Sequence, residues 1–187
     1  MIIGLKQNTV ELADHDPMWE IYAAQTIKQL WRVFNSTAKD IQHIGSTAIK
    51  GIKAKPMIDI IVAVDDFTEV ETLIPALESA GVHFRRKVND TWYLFAIGDL
   101  INPDGILTHQ IHVLKADSEH WHNVILFRDY MNNNISAAKE YEALKIKLAE
   151  ENPHDPGREK YLAGKSDFII RTYNDIEIWK KQQVNTK

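Results

Sequence analysis

The chain contains no cysteine. Disulfides, thiolate zinc sites and a cysteine nucleophile are therefore excluded. A surplus of positive charge is also missing, since 22 Lys and Arg stand against 26 Asp and Glu, a net charge of -4. That balance gives no general attraction to nucleic acid or to an anionic membrane, so neither partner is expected. Any site for a polyanion must then be a local basic patch. No apolar run approaches the ~20 residues of a membrane span. The opening MIIGLKQNTVELADHD turns acidic too soon for a signal peptide. A soluble cytoplasmic protein is the expectation. There is no repeat of fixed period and no low-complexity tract.

What is present is globular in character. The 187 residues are 44% hydrophobic and 26% charged, enough to bury a core without staples. Thr9 to Leu12 reads as a short edge strand, and Asp16-Pro17 as a helix start. Trp19, Tyr22, Ala23, Ile27, Leu30, Trp31 and Phe34 then recur at helical spacing. Strands are predicted over Asp40 to Ile44 and Met57 to Val64, followed by a helix with a capping box at Thr68 to Glu71. Two further strands, Val82 to Val88 and Thr91 to Ile97, flank a turn at Asn89-Asp90. A turn at Asn102 to Gly105 leads into the strand Ile106 to Leu114. Beyond it, helices are predicted from about Ser118 to Asn132, Ser136 to Glu151 and Asp155 to Lys181. The order predicts an α+β fold: a mixed sheet of about five strands backed by helices, with a C-terminal helical region. Residues 1–116 form the expected α/β core, and 117–187 the helical region packed on it as one unit.

The chemistry concentrates between Gln42 and Val64, QHIGSTAIKGIKAKPMIDIIVAV. Gly45-Ser46-Thr47 follows a strand and precedes a potential helical turn, where a hydroxyl and backbone amides can meet a phosphate. An ordinary strand-to-helix turn would read the same. Asp59 interrupts an apolar strand, and a buried carboxylate is costly unless it is paired or bound to metal. The plainer reading is an ion pair with Lys53 or Lys55. On the later strand, Thr108, Gln110 and His112 share one face, with His109, Ile111 and Val113 on the other. His120 and His122 read as surface residues. Trp92, Tyr93 and Phe95 read as core.

The stretch HIGSTAIKGIKAKPMIDIIV resembles the signature of the GrpB family, also called UPF0157, within the polymerase-β-like nucleotidyltransferase superfamily. The segments QIHV, FRDYM, YEALKIKLA and YLAGK are similar to the rest of that family's pattern, in the same order. The resemblance implies a nucleotidyltransferase fold with Gly45, Ser46, Thr47 and Asp59 at the site. It also implies metal-dependent transfer of a nucleoside monophosphate to a small acceptor. His112 is the histidine it points to, as metal ligand, phosphate contact or general base. Arg128, Lys145, Tyr161 and Lys165 are its expected contacts to a nucleotide or other phosphate-bearing molecule. Lys50, Lys53 and Lys55 make a basic loop before Asp59 that either closes over a phosphate, with Lys55 as the contact, or is solvated. The sequence departs from the superfamily at Ile61, where a second carboxylate is usual. Asp59 and His112 are the expected metal ligands, for Mg²⁺ or Mn²⁺; with Gln110 the set is softer than Mg²⁺ prefers, which brings Zn²⁺ into range. The alternative is a binding protein that keeps the fold and lacks the chemistry.

Overall fold

Alternation along one strand decides how the molecule is layered. In β3 (Ile58–Val64) the side chains of Ile58, Ile60, Val62 and Val64 are wholly buried on one face. They pack with Trp19, Ala23, Leu30 and Phe34 of α1 (Met18–Phe34) and with Val70 and Leu77 of α2 (Phe67–Ser79). Ile61 and Ala63 point the other way and meet Ile44, Leu114 and Trp121. A strand buried on both faces reads as a nearly continuous apolar run, as IDIIVAV does.

The computed structural model describes residues 3–102 and 104–184. Around β3 the sheet has the order β2 (Ala38–Ile44), β3, β6 (Ile106–Lys115), β5 (Trp92–Gly98), β4 (His83–Asn89). Only the β3–β6 pairing along this path is parallel, so the sheet is mixed. The helices α3 (Glu119–Asn133), α4 (Ile135–Glu151), α5 (Glu159–Ala163) and α6 (Ser166–Val184) follow. Tyr130, Met131, Ala138, Tyr141, Phe168 and Ile176 bind these helices into a second core, which Ile49 and Ile52 join from the β2–β3 loop. No helix among the described residues is long and apolar enough to cross a membrane.

The α+β layout agrees with the sequence reading, and four details differ. The sheet has six strands, because β1 (Leu5–Lys6) pairs with Leu107 and Ile106 at the start of β6. The edge strand expected at Thr9 to Leu12 is reduced to single bridges, Thr9 to His154 and Ala13 to Ala54. Asp66, whose side chain accepts from the Thr68 amide at 2.7 Å, caps α2, so that helix begins ahead of the expected capping box. The expected single last helix is broken, since Gly157 and Arg158 take φ of 67° and 58° and a tight turn separates α5 from α6. Pro103 of the predicted Asn102 to Gly105 turn lies outside the described residues.

Candidate functional site

Strand β2 ends in Gly45, whose φ of 72° favours glycine. Close approach adds a second reason, because a Cβ there would collide with the Asp59 carboxylate. Ser46–Ala48 then forms a single 3-10 turn. Thr47 is buried; its hydroxyl donates to the Met57 carbonyl at 3.4 Å and so accepts from His43 Nε2 at 2.9 Å. The Gly-Ser turn is thus pinned against the head of β3, where Asp59 sits opposite Ile44.

Asp59 shares its face with Gln110 and His112 of β6, and its cross-strand partner is Gln110. His112 Nε2 lies 3.9 Å from Asp59 Oδ1, and the Asp59 side chain keeps 28% of its surface exposed. That exposure opens into a cavity of about 250 Å³. Gly45, Ser46, Thr47, Lys55, Asp59, His112, Tyr161 and Lys165 all line it. Eight of the sequence-predicted residues therefore meet in one place. Gln110 joins them on the floor, and Phe127, Tyr141 and Tyr173 form an aromatic wall from α3, α4 and α6.

Two ammonium groups stand over the Tyr161 ring, Lys55 at 5.0 Å and Lys165 at 4.7 Å. Neither forms an ion pair or side-chain hydrogen bond among the described residues. Burial, followed by the charges of Lys165 and Arg158, lowers the Lys55 pKa to about 7. Burial would raise the Asp59 carboxyl, but the His112 imidazole and the charges of Lys55 and Lys165 hold it below the usual carboxylate range. The plainer reading of Asp59 as an ion-pair partner of Lys53 does not hold, because Lys53 pairs with Asp14. Lys50 likewise turns outward, to Glu20. Of the three loop lysines, Lys55 alone enters the cavity.

Arg128 and Lys145 lie outside the cavity lining, contrary to expectation. Arg128 Nη1 donates to Gln42 Oε1 and the His43 carbonyl, both at 2.9 Å, and its Nε to Asp129. Its guanidinium holds α3 against β2. Lys145 is wholly buried, donates to the Lys53 carbonyl and stands 4.8 Å over the Tyr141 ring. Burial and the Lys165 charge lower its pKa to about 7. It ties α4 to the loop that carries Lys55. The family resemblance marks both as phosphate contacts, and the plainer reading for Arg128, a pairing with Asp129, is the one seen here.

The donor set limits what metal the site could hold. Asp59 and His112 supply two donors, and no group of three His, Cys, Asp or Glu among the described residues could hold an ion. A two-ion site does not fit, because the position for a second carboxylate is Ile61, wholly buried beside Trp121 and Leu114. At most a single divalent ion fits, with ligand phosphates and water completing its shell.

The sequence reading missed the aromatic wall. Tyr141 opens YEALK as Tyr161, which was expected at the site, opens YLAGK, so the segment pattern held a signal for it. It also missed Arg158, which lies near enough to feel the Asp59 charge. His120 and His122 are exposed as expected, though His120 stacks on Trp92 at 4.8 Å.

A model of the GrpB protein family matches residues 9–175. The glutamate-rich protein GrpB of Alkalihalophilus pseudofirmus is 37% identical over 178 residues, covering 94% of this chain and 100% of its own. A UPF0157 protein of Pseudomonas aeruginosa is 30% identical over 163 residues, 87% of this chain and 65% of that protein. The crystal structure of the conserved protein GrpB from Enterococcus faecalis has a TM-score of 0.79 at 24% identity. It covers 90% of this chain and 99% of the other, a likeness of fold.

Proposed function

Because the chain belongs to the GrpB family, we propose that the Asp59 cavity binds the phosphates of a nucleotide or related phosphorylated small molecule. The carrying observation is the pair of unpartnered ammonium groups, Lys55 and Lys165, set beside the free hydroxyl face of Ser46. Both are half-buried, and the single Asp59 carboxylate cannot balance two ammonium groups, so a phosphate would offset the remaining cost. Phe127, Tyr141 and Tyr173 offer the other half of the ligand an aromatic surface. In this reading residues 1–116 supply the floor and 117–187 the roof.

A second reading, nucleotidyl transfer, is favoured by one feature. Asp59 stays ionised and open to the cavity, where a purely anion-binding site would gain from its removal. An acceptor hydroxyl would attack the α-phosphorus, His112 would take its proton, and pyrophosphate would leave. A single divalent ion held by Asp59, when bound, would supply positive charge beside the phosphate oxygens and leave His112 free to take the proton.

The test is a thermal-shift and calorimetric series with ATP, UTP and tripolyphosphate, with and without Mg²⁺ or Mn²⁺. Binding should raise the melting point by mass action, and Lys165→Ala should remove the shift. Binding that tightens with the ion and is lost in Asp59→Ala selects the second reading, to be completed by measuring pyrophosphate release. If no phosphorylated compound shifts the melting point under any condition, both readings fail.

A further inference from the structure

The sheet face that carries Asp59 continues past β6 onto β5 and β4. In register, Leu94 lies opposite His112 and Ala96 opposite Gln110. A second cavity, of about 430 Å³, lies over this part of the sheet. Leu94, Ala96 and Gln110 line it, together with Arg85, Arg86 and Arg158. Gln110 lines the first cavity as well, so the two are neighbours across one side chain. The lining holds three arginines and no carboxylate.

The backbone explains how two adjacent arginines reach one cavity. Consecutive residues of a regular strand face opposite ways. Here the pairing runs from Phe84↔Phe95 to Arg86↔Leu94, so β4 carries one residue more than β5. Such a bulge re-aims side chains and lets Arg85 and Arg86 both border the groove. Both are exposed, and their side chains form no ion pair or hydrogen bond among the described residues. Lys87, the next residue, turns to the other face and pairs with Glu71. Arg158 is buried at a φ of 58°, a backbone conformation that non-glycine residues rarely adopt. Its Nε and Nη2 donate to the Thr9 and Lys6 carbonyls at 3.1 and 3.2 Å, which fixes the guanidinium in the groove wall.

We propose that this groove is a second anion site, which seats a phosphate or similarly multi-charged group of a second small molecule. Its volume falls within the few hundred Å³ typical of small-ligand pockets. A small ligand suits it better than a polymer, since the three arginines line one bounded cavity on a chain of net charge -4. The claim stands on the groove itself, whatever the Asp59 cavity binds. Two occupied neighbours would make Gln110 the shared wall between two ligands.

Calorimetry with sodium tripolyphosphate, in the absence of divalent ions, tests it on three proteins. These are the unaltered chain, the Arg85→Ala/Arg86→Ala double variant and Lys165→Ala. Both arginines are exposed, so the double variant keeps its fold, which an unchanged melting curve verifies. The expected result is that the double variant loses at least about tenfold in affinity at one class of sites. The class sensitive to Lys165→Ala should persist in it. Unchanged stoichiometry and affinity in the double variant overturn the proposal. So does an equal, salt-sensitive weakening of every class, which marks long-range charge alone. Loss of the arginine-dependent class together with no effect of Lys165→Ala supports this groove while refuting the reading of the Asp59 cavity.

Discussion

His109 and His112 sit three residues apart on one strand and face opposite sides of the sheet. His109 looks into the dry layer beneath α1, where Nε2 meets Thr26 Oγ1 at 3.0 Å. Burial, partly offset by the Asp59 charge, lowers its pKa to about 4, so it is a neutral part of the core. His112 looks into the layer beneath the C-terminal helices, toward Asp59 and a cavity. The residue type is the same, and strand parity decides what each one does. Asp59 teaches the same lesson beside Ile60. One layer tolerates no charge, whereas the other collects a carboxylate, an imidazole and two ammonium groups around a space.

The harshest way to break this contrast is to move the carboxylate by one residue. Ile60→Asp should cost at least about 4 kcal/mol, because an unpaired carboxylate would be buried among Ile58, Val62 and α1. Asp59→Leu should leave the melting temperature nearly unchanged or raise it, and urea titration of both variants reads the difference. Acid attacks the dry layer next. His43, held neutral by burial despite the Asp59 charge, and His109 both have a pKa near 4. The unfolded chain binds those protons at about 6.5. Stability is therefore full above about pH 6.5 and is lost as pH falls toward 4, by a few kcal/mol in all. Asp59→Leu should leave that acid limb in place, while His109→Gln should shrink it.

Smaller effects sharpen the other layer. Lys165→Ala should weaken tripolyphosphate binding by at least about tenfold, whereas Lys147→Ala, exposed on α4 beside Glu151 and outside the cavity lining, should not change it. The pH dependence follows from Lys55. An anion favours its protonated form, so affinity is highest below about pH 7. From pH 7 to 9 affinity should fall by up to about tenfold per unit, over a range in which phosphate is already ionised. Lys55→Arg should flatten that dependence, because a guanidinium stays charged throughout.

Much of this was legible in the sequence because it is local. The Gly45-Ser46 turn, the lone carboxylate in IDIIVAV and the alternation of ILTHQIHVLK each fix a side-chain direction from neighbours a few residues away. The face of His112 followed from parity alone. What the sequence did not reveal depends on distant contacts. Lys145 on α4 and Lys165 in the turn before α6 look alike in the sequence, yet one bonds the Lys53 carbonyl, 92 positions away, and the other reaches the cavity. Arg158 escaped notice because the left-handed kink that aims it lies inside what read as a continuous helix. The bulge at Arg85 has no glycine to announce it.

The Arg158 bonds to Lys6 and Thr9 also bear on how the molecule holds its shape. They fasten the first strand to the turn before Tyr161, making a clasp between stretches some 150 positions apart. Asp155 tightens the same clasp, with its amide on the Asn8 carbonyl and its carboxylate on the Tyr161 amide, both at 2.9 Å. Tyr161 thus takes its place under the two lysines from a segment that contributes nothing to the cavity itself. Trimming residues 1–10 would loosen the roof from behind and blur the pocket while leaving every residue that lines it in the chain.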